Sequence, residues 1–251
     1  MPLLPGAAPF MHEGGPTGVL LCHGFTGTPQ SLRPWAERLA AAGLSVELPR
    51  LPGHGTTPQE MNRTGWEDWY AEVDRAFGRL RDRCDEVFVM GLSMGGTLAI
   101  RLAELRGPEI AGLVLVNPSL LTKRPDRHLL PLLQLLVPTW TGISSDIKKP
   151  GITEEAYDRV PLKAAYSLSK LWTVTRLDLG KVTNPILVFR SSVDHVVEPD
   201  SCIELKAKVG SSDVREVVLE DSYHVATLDN DAETIFEGSL EFVRRLARTA
   251  S

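Results

Sequence analysis

The sequence predicts an α/β architecture: a mostly parallel twisted sheet with helices on both faces and a small helical insertion. Three observations carry this. Strand-length apolar runs alternate at short intervals with segments of helical periodicity, the pattern of a parallel sheet covered on both sides. One such run, Val87 to Met90, meets Gly91-Leu92-Ser93-Met94-Gly95-Gly96 and passes directly into a helix-periodic stretch. From Asn117 to about Val182 the alternation stops for longer than a compact domain tolerates as bare loop, and then it resumes.

At 251 residues the chain fits one α/β domain that buries a sizeable core. Its formal charge of −5, with no cluster of Lys and Arg, argues against a nucleic-acid partner. Cys22, Cys84 and Cys202 are scattered, odd in number and without a C-x-x-C pair, so they read as reduced structural thiols. No basic segment followed by a long apolar core opens the chain, and no apolar run reaches the roughly 18 residues of a membrane span. The expected location is the cytoplasm.

A polar, Pro/Gly-rich lead-in reaches Thr17, and Gly18 to Cys22 then reads as a buried strand. It runs into His23-Gly24-Phe25-Thr26-Gly27, a glycine-rich loop of the kind that presents backbone N–H groups to developing negative charge. Phe25 is the candidate donor. Ser31 to Ala42 has helical spacing, with Ser31 as the expected cap and Gly43 as the stop. Leu44 to Leu48 is a short strand, Pro49 to Gly55 a punctuated loop, and Trp66 to Arg83 a helix. The strand from Val87 then leads to Ser93. Its flanking glycines have a steric reason: side chains two residues either side of a strained strand-to-helix turn would collide across it. After that helix, Gly112 to Val116 is another buried strand.

The domain organisation follows: a core of 1–116 and 183–251, with 117–182 inserted as a helical cap over the carboxyl edge of the sheet. The cap is rich in aliphatic residues, as in Leu129-Leu130-Pro131-Leu132-Leu133, so the apolar part of a substrate is expected to lie against it. The same leucine-rich surface is a candidate for transient contact with lipid or for dimerisation; the oligomeric state stays open.

Pro185 to Arg190 resumes the sheet and delivers Asp194, and Arg215 to Leu219 delivers His224. Acyl transfer by serine needs an imidazole to take the hydroxyl proton and a carboxylate to hold that imidazole in one tautomer. The catalytic candidates are therefore Ser93, His224 and Asp194, in that division of roles. The order Ser, Asp, His, each just past a strand, sets this arrangement apart from other serine-hydrolase folds. His12, His23, His54, His128 and His195 compete for the base, but His224 alone follows the final strand. Glu198, Asp200 and Asp221 compete for the acid, and Asp194 stands nearest its strand end.

His23-Gly24-Phe25-Thr26-Gly27, Pro52-Gly53-His54-Gly55, Gly91-Leu92-Ser93-Met94-Gly95-Gly96, Asp194 with Val196-Val197, and Ser222-Tyr223-His224-Val225 together resemble the α/β-hydrolase superfamily. Within it the chain is similar to the bacterial carboxylesterase and monoacylglycerol lipase group. The resemblance implies an α/β-hydrolase fold, an oxyanion hole from the backbone N–H groups of Phe25 and Met94, a small cap for the acyl chain, and no cofactor. One departure is expected: the lead-in is too short and too polar to supply the first two strands of the full sheet.

The substrate class this implies is a small-molecule ester with an apolar acyl chain. Glu154, within Thr153-Glu154-Glu155, is the candidate contact for a glycerol-like head, and Ile143 the candidate for the apolar wall. The same acidic stretch also reads as an ordinary solvated helix start. A short-chain carboxylesterase and a non-catalytic ligand receptor on this fold remain alternatives; enzymes of the superfamily with aspartate at this strand-to-helix turn, the nucleophile elbow, do not, because the residue here is Ser93.

Overall fold

The computed structural model describes residues 3–142 and 145–247. In chain order the elements are β1 (Phe10–His12), β2 (Thr17–Cys22), α1 (Arg33–Ala41), β3 (Ser45–Leu48), α2 (Pro58–Met61), α3 (Trp66–Arg81), β4 (Glu86–Leu92), α4 (Met94–Arg106) and β5 (Gly112–Val116). They continue with α5 (Leu130–Leu136), β6 (Thr139–Thr141), β7 (Arg159–Pro161), α6 (Leu162–Asp178), β8 (Ile186–Ser191), α7 (Asp200–Lys208), β9 (Val214–Leu219) and α8 (Ala232–Leu246).

Seven strands form one sheet in the order β1-β3-β2-β4-β5-β8-β9. All neighbours run parallel except β1, which pairs antiparallel with β3. The central strands are apolar on both sides because both faces are covered. On one face Trp69, Val73 and Phe77 of α3, Leu98 and Leu102 of α4, and Leu168 and Leu171 of α6 pack with Leu20, Val89 and Leu113. On the other, Trp35 and Leu39 of α1 and Ile235, Phe236 and Val243 of α8 pack with Leu21, Met90 and Val116. The site lies at the carboxyl ends of β2, β4, β8 and β9, where a parallel sheet gathers its loops.

Four details differ from the sequence reading. The lead-in does supply one strand, β1, which tolerates polarity because it is an edge: Met11 is 61% exposed. The first helix is entered through a 3-10 turn at Pro29–Leu32 capped by Thr28, whose Oγ1 accepts from Gln30 N at 3.3 Å; Ser31 instead donates to Thr28 O. The inserted stretch holds a two-stranded antiparallel sheet, β6 with β7, where only helix was expected. Three residues per strand are too few for a period of two to register. Finally, Thr153-Glu154-Glu155 starts no helix; the next one begins at Leu162.

Candidate active site

β4 ends on a turn that only its glycines allow. Ser93 has φ +54° and ψ −118°, a left-handed conformation for a residue with a side chain. A Cβ on Gly95 would lie 1.9 Å from Cys22 O, and one on Gly91 would lie 2.3 Å from Gly95 O. The turn is therefore wedged between its own helix and β2. Ser93 opens α4, and Met94 is that helix's first residue, where N–H groups find no carbonyl within the helix.

The loop after β2 runs beside this turn: a Cβ on Gly24 would sit 3.7 Å from that of Ser93. His23 holds the loop from inside the core. Its Nδ1 donates to Gly24 O at 3.0 Å while its Nε2 accepts from Leu51 N at 3.1 Å, which selects one neutral tautomer. Burial pushes its pKa down to about 4, so it stays neutral. His54 stacks edge-on against His23 and Trp69, and Trp69 packs on Phe25. The two histidines thus build the loop's foundation.

Asp194 and His224 meet directly. His224 Nδ1 donates to Asp194 Oδ2 at 2.8 Å, and both side chains are 8% exposed. Asp194 Oδ1 accepts from Val196 N and Val197 N, each at 2.8 Å. Burial pushes the carboxyl of Asp194 up, but the charge and hydrogen bond of His224 and these two N–H groups outweigh it, and its pKa falls below the ordinary value. Burial pulls His224 down, yet Asp194, Glu154 and Asp146 together raise its pKa above 6.5. Among the described contacts the Ser93 hydroxyl makes no hydrogen bond to this imidazole; such bonds commonly tighten only around a substrate.

Three further residues, not singled out from sequence, hold the His224 loop. Asn117, at the end of β5 with φ +43°, donates through Nδ2 to His224 O at 2.8 Å and to Ser191 Oγ at 3.0 Å. Asp146 Oδ2 accepts from His224 N and His195 N, both at 3.2 Å, and its carbonyl accepts from Val225 N. Asp229, 1% exposed, accepts four backbone N–H groups: Lys148, Tyr223, Lys149 and Asn230 at 2.7–2.9 Å. Asp146 and Asp229 so pin the inserted segment to the histidine loop.

Glu154 lies against the other side of the site. Its carboxylate stands where a side chain on Gly27 would be, 2.6 Å from that Cβ position, and no side chain among the described residues hydrogen-bonds it. Burial pushes its pKa up to about 7, opposed by the charge of His224. The arrangement offers a buried base and acid, candidate oxyanion donors and one unspent carboxylate around Ser93. Ile143 lies outside the described residues. Among the described residues no group of three His, Cys, Asp or Glu is placed to hold a metal ion.

Residues 17–231 match the family model described as serine aminopeptidase, S33. The chain is 44% identical over 251 residues to a thermostable monoacylglycerol lipase from Bacillus sp. (strain H-257), covering 98% of each chain. It is 26% identical over 241 residues to a carboxylesterase of Bacillus subtilis (strain 168), across 95% of this chain and 96% of that one. A solved structure reported for the metagenome-derived lipolytic enzymes LipS and LipT superposes with a TM-score of 0.94 at 43% identity, over 97% of this chain and 100% of that one. The monoacylglycerol lipase of Paleococcus ferrophilus shares the fold, with a TM-score of 0.81 at 20% identity over 98% and 100% of the two chains.

Proposed function

Because the chain belongs to the serine aminopeptidase, S33 family and has the α/β-hydrolase fold, we propose that it hydrolyses carboxylic esters, with monoacylglycerols as its substrate class. Ser93 attacks the ester carbonyl as His224 takes its proton, and Asp194 fixes the imidazole and stabilises the imidazolium. The N–H groups of Phe25 and Met94 receive the oxyanion. His224 returns the proton to the leaving alcohol, and water activated by the same imidazole releases the acid. Residues 117–182 act as the cap over the core, with α6 as its root: Leu168 and Leu171 are packed in the sheet's own core.

The observation that carries the substrate class is Glu154, an unspent carboxylate beside the oxyanion loop and within the field of His224. A glycerol diol supplies the hydroxyl donors it lacks, and a simple alkyl ester does not. The test compares kcat/KM for 1-monoacylglycerol and for the p-nitrophenyl ester of the same acyl chain, with triacylglycerol and shorter esters alongside. A hydrogen bond to a charged group is worth about 1.5–3 kcal/mol, but Gln still accepts, so Glu154→Gln is expected to cost the monoacylglycerol about tenfold more than the p-nitrophenyl ester. Equal losses on both would remove the head-group role. Catalysis needs neutral His224, so kcat/KM falls as pH drops through a midpoint above 6.5; removing the Glu154 charge moves that midpoint down.

The cap also exposes Leu129, Leu132, Leu135, Leu136 and Trp140, a surface suited to drawing monomeric lipid from an aggregate. Replacing Leu135 and Leu136 together by Asp is expected to reduce co-flotation with lipid vesicles while a water-soluble ester is still cleaved. No helix among the described residues is long and apolar enough to cross a membrane. The three free, buried cysteines support a reducing compartment, and we place the enzyme in the cytoplasm.

A further inference from the structure

Glu154 has no helix or strand to aim it, yet the backbone on either side is gripped. Gln30 Nε2 donates to Thr153 O at 3.2 Å, and Gln30 Oε1 accepts from Glu155 N at 3.1 Å. One side-chain amide thus bridges both neighbours of Glu154. Glu154 N itself donates to Ser145 Oγ at 2.9 Å. Three residues on, Tyr157 N donates to Thr26 O at 3.2 Å, and the Tyr157 hydroxyl donates to Gly53 O and accepts from Thr56 N, each at 2.8 Å. The segment is sewn to the loop that carries Phe25.

The same loop clears room for the carboxylate. A side chain at position 27 would begin 2.6 Å from Glu154 Oε1, and the next atom outside Glu154, Gly24 O, stands at 3.6 Å. Gly27 is not required by a left-handed backbone, since its φ is not positive. Its missing Cβ is explained by Glu154 alone.

We propose that Gly27 and Gln30 are specificity-determining positioning residues: Gly27 leaves the space that Glu154 fills, and the Gln30 amide fixes the backbone from which Glu154 projects. This rests on the reading of Glu154 as the head-group contact. Head-group preference is then set by the core loop next to the oxyanion donors, not by the cap alone. The amide is required as an amide, because the site asks for one donor and one acceptor at once. Glutamate at position 30 would face Thr153 O with a second acceptor, and alanine supplies neither partner.

The test is the ratio of kcat/KM on 1-monoacylglycerol to that on the p-nitrophenyl ester of the same acyl chain, for wild type, Gln30→Ala, Gly27→Ala, Glu154→Gln and the double variant Q30A/E154Q. Loss of aim rather than of the group itself is expected to lower the ratio about three- to tenfold in Gln30→Ala and Gly27→Ala, mainly through KM, and Gln30→Ala costs less once Glu154 is Gln than it does in wild type, because only the weaker acceptor is left to mis-aim. Gly27→Ala reaches the same end by a different route, since the group it displaces is the tip of a flexible side chain. If Glu154→Gln lowers the ratio while Gln30→Ala and Gly27→Ala do not, the positioning roles fail and the head-group reading stands. Additive losses in the double variant also overturn the proposal, because Gln30 would then act independently of Glu154. If Glu154→Gln leaves the ratio unchanged, the head-group reading itself falls and takes this inference with it.

Discussion

Ser93→Ala is expected to abolish ester hydrolysis, lowering kcat by about 10⁴-fold or more on every substrate wild type accepts, with the melting temperature within about 2 °C of wild type. The two parts have separate causes. Alanine keeps the Cβ and therefore the same φ +54° turn, so the backbone strain and the packing around α4 are unchanged. What disappears is the oxygen nucleophile, and nothing nearby replaces it: burial pushes the Cys22 thiol up to about 12, leaving no thiolate at neutral pH. His224→Ala is expected to cost about as much, and the double variant no more than either, because nucleophile and base act as a unit. Initial rates on a medium-chain p-nitrophenyl ester, with unfolding followed on the same preparations, check this. Activity of Ser93→Ala within a hundredfold of wild type would take the nucleophile's role away from Ser93.

The parts of this site that were legible in the sequence are those whose physics is local. Gly91 is fixed by a collision within six residues of chain, with Gly95 and Gly96, and Asp194 and His224 stand just past runs whose apolar character marks them as buried strands. Gly95 was legible only by its place in the motif, since what a side chain there would strike is Cys22 and His23 on the neighbouring strand and loop, not the turn itself. Glu154 was reachable only as an acidic group in an aliphatic insertion, with a solvated helix start as its rival; the absence of a helix there removes that rival. Asp146 carries no local signature at all. Its partners are the backbone N–H groups at positions 195 and 224 and the His195 imidazole, and no spacing rule announces a carboxylate that acts across 78 residues. Gln30 is silent for the same reason, since its amide spans to residues 153 and 155. The strands β6 and β7 were lost because each is stable only through the other, and β1 because an edge strand wears the polarity of a loop.

Gly95→Ala should do to the fold what Ser93→Ala does to the chemistry. The added Cβ would lie 1.9 Å from Cys22 O, 2.4 Å from Cys22 C and 2.7 Å from His23 O, all backbone atoms of residues with no exposed surface. A flexible side chain could swing aside; a strand paired on both edges cannot, and β2 is hydrogen-bonded to β3 and β4. Relief requires α4 to lift away from β2, opening the core around Leu98 and Leu20, so a loss beyond about 4 kcal/mol is expected, with little soluble protein. Gly78 supplies the contrast. It sits within α3 with nothing within 4 Å of a Cβ, so Gly78→Ala is expected to stabilise by roughly 0.5–1 kcal/mol through the helix preference of alanine. Urea unfolding of the two variants measures both signs. A soluble Gly95→Ala within 1 kcal/mol of wild type would mean that β2 and α4 can separate without cost. In that case the loop carrying Phe25, which continues directly from Cys22, would not be held against Ser93 by the elbow, and the oxyanion geometry would need another origin.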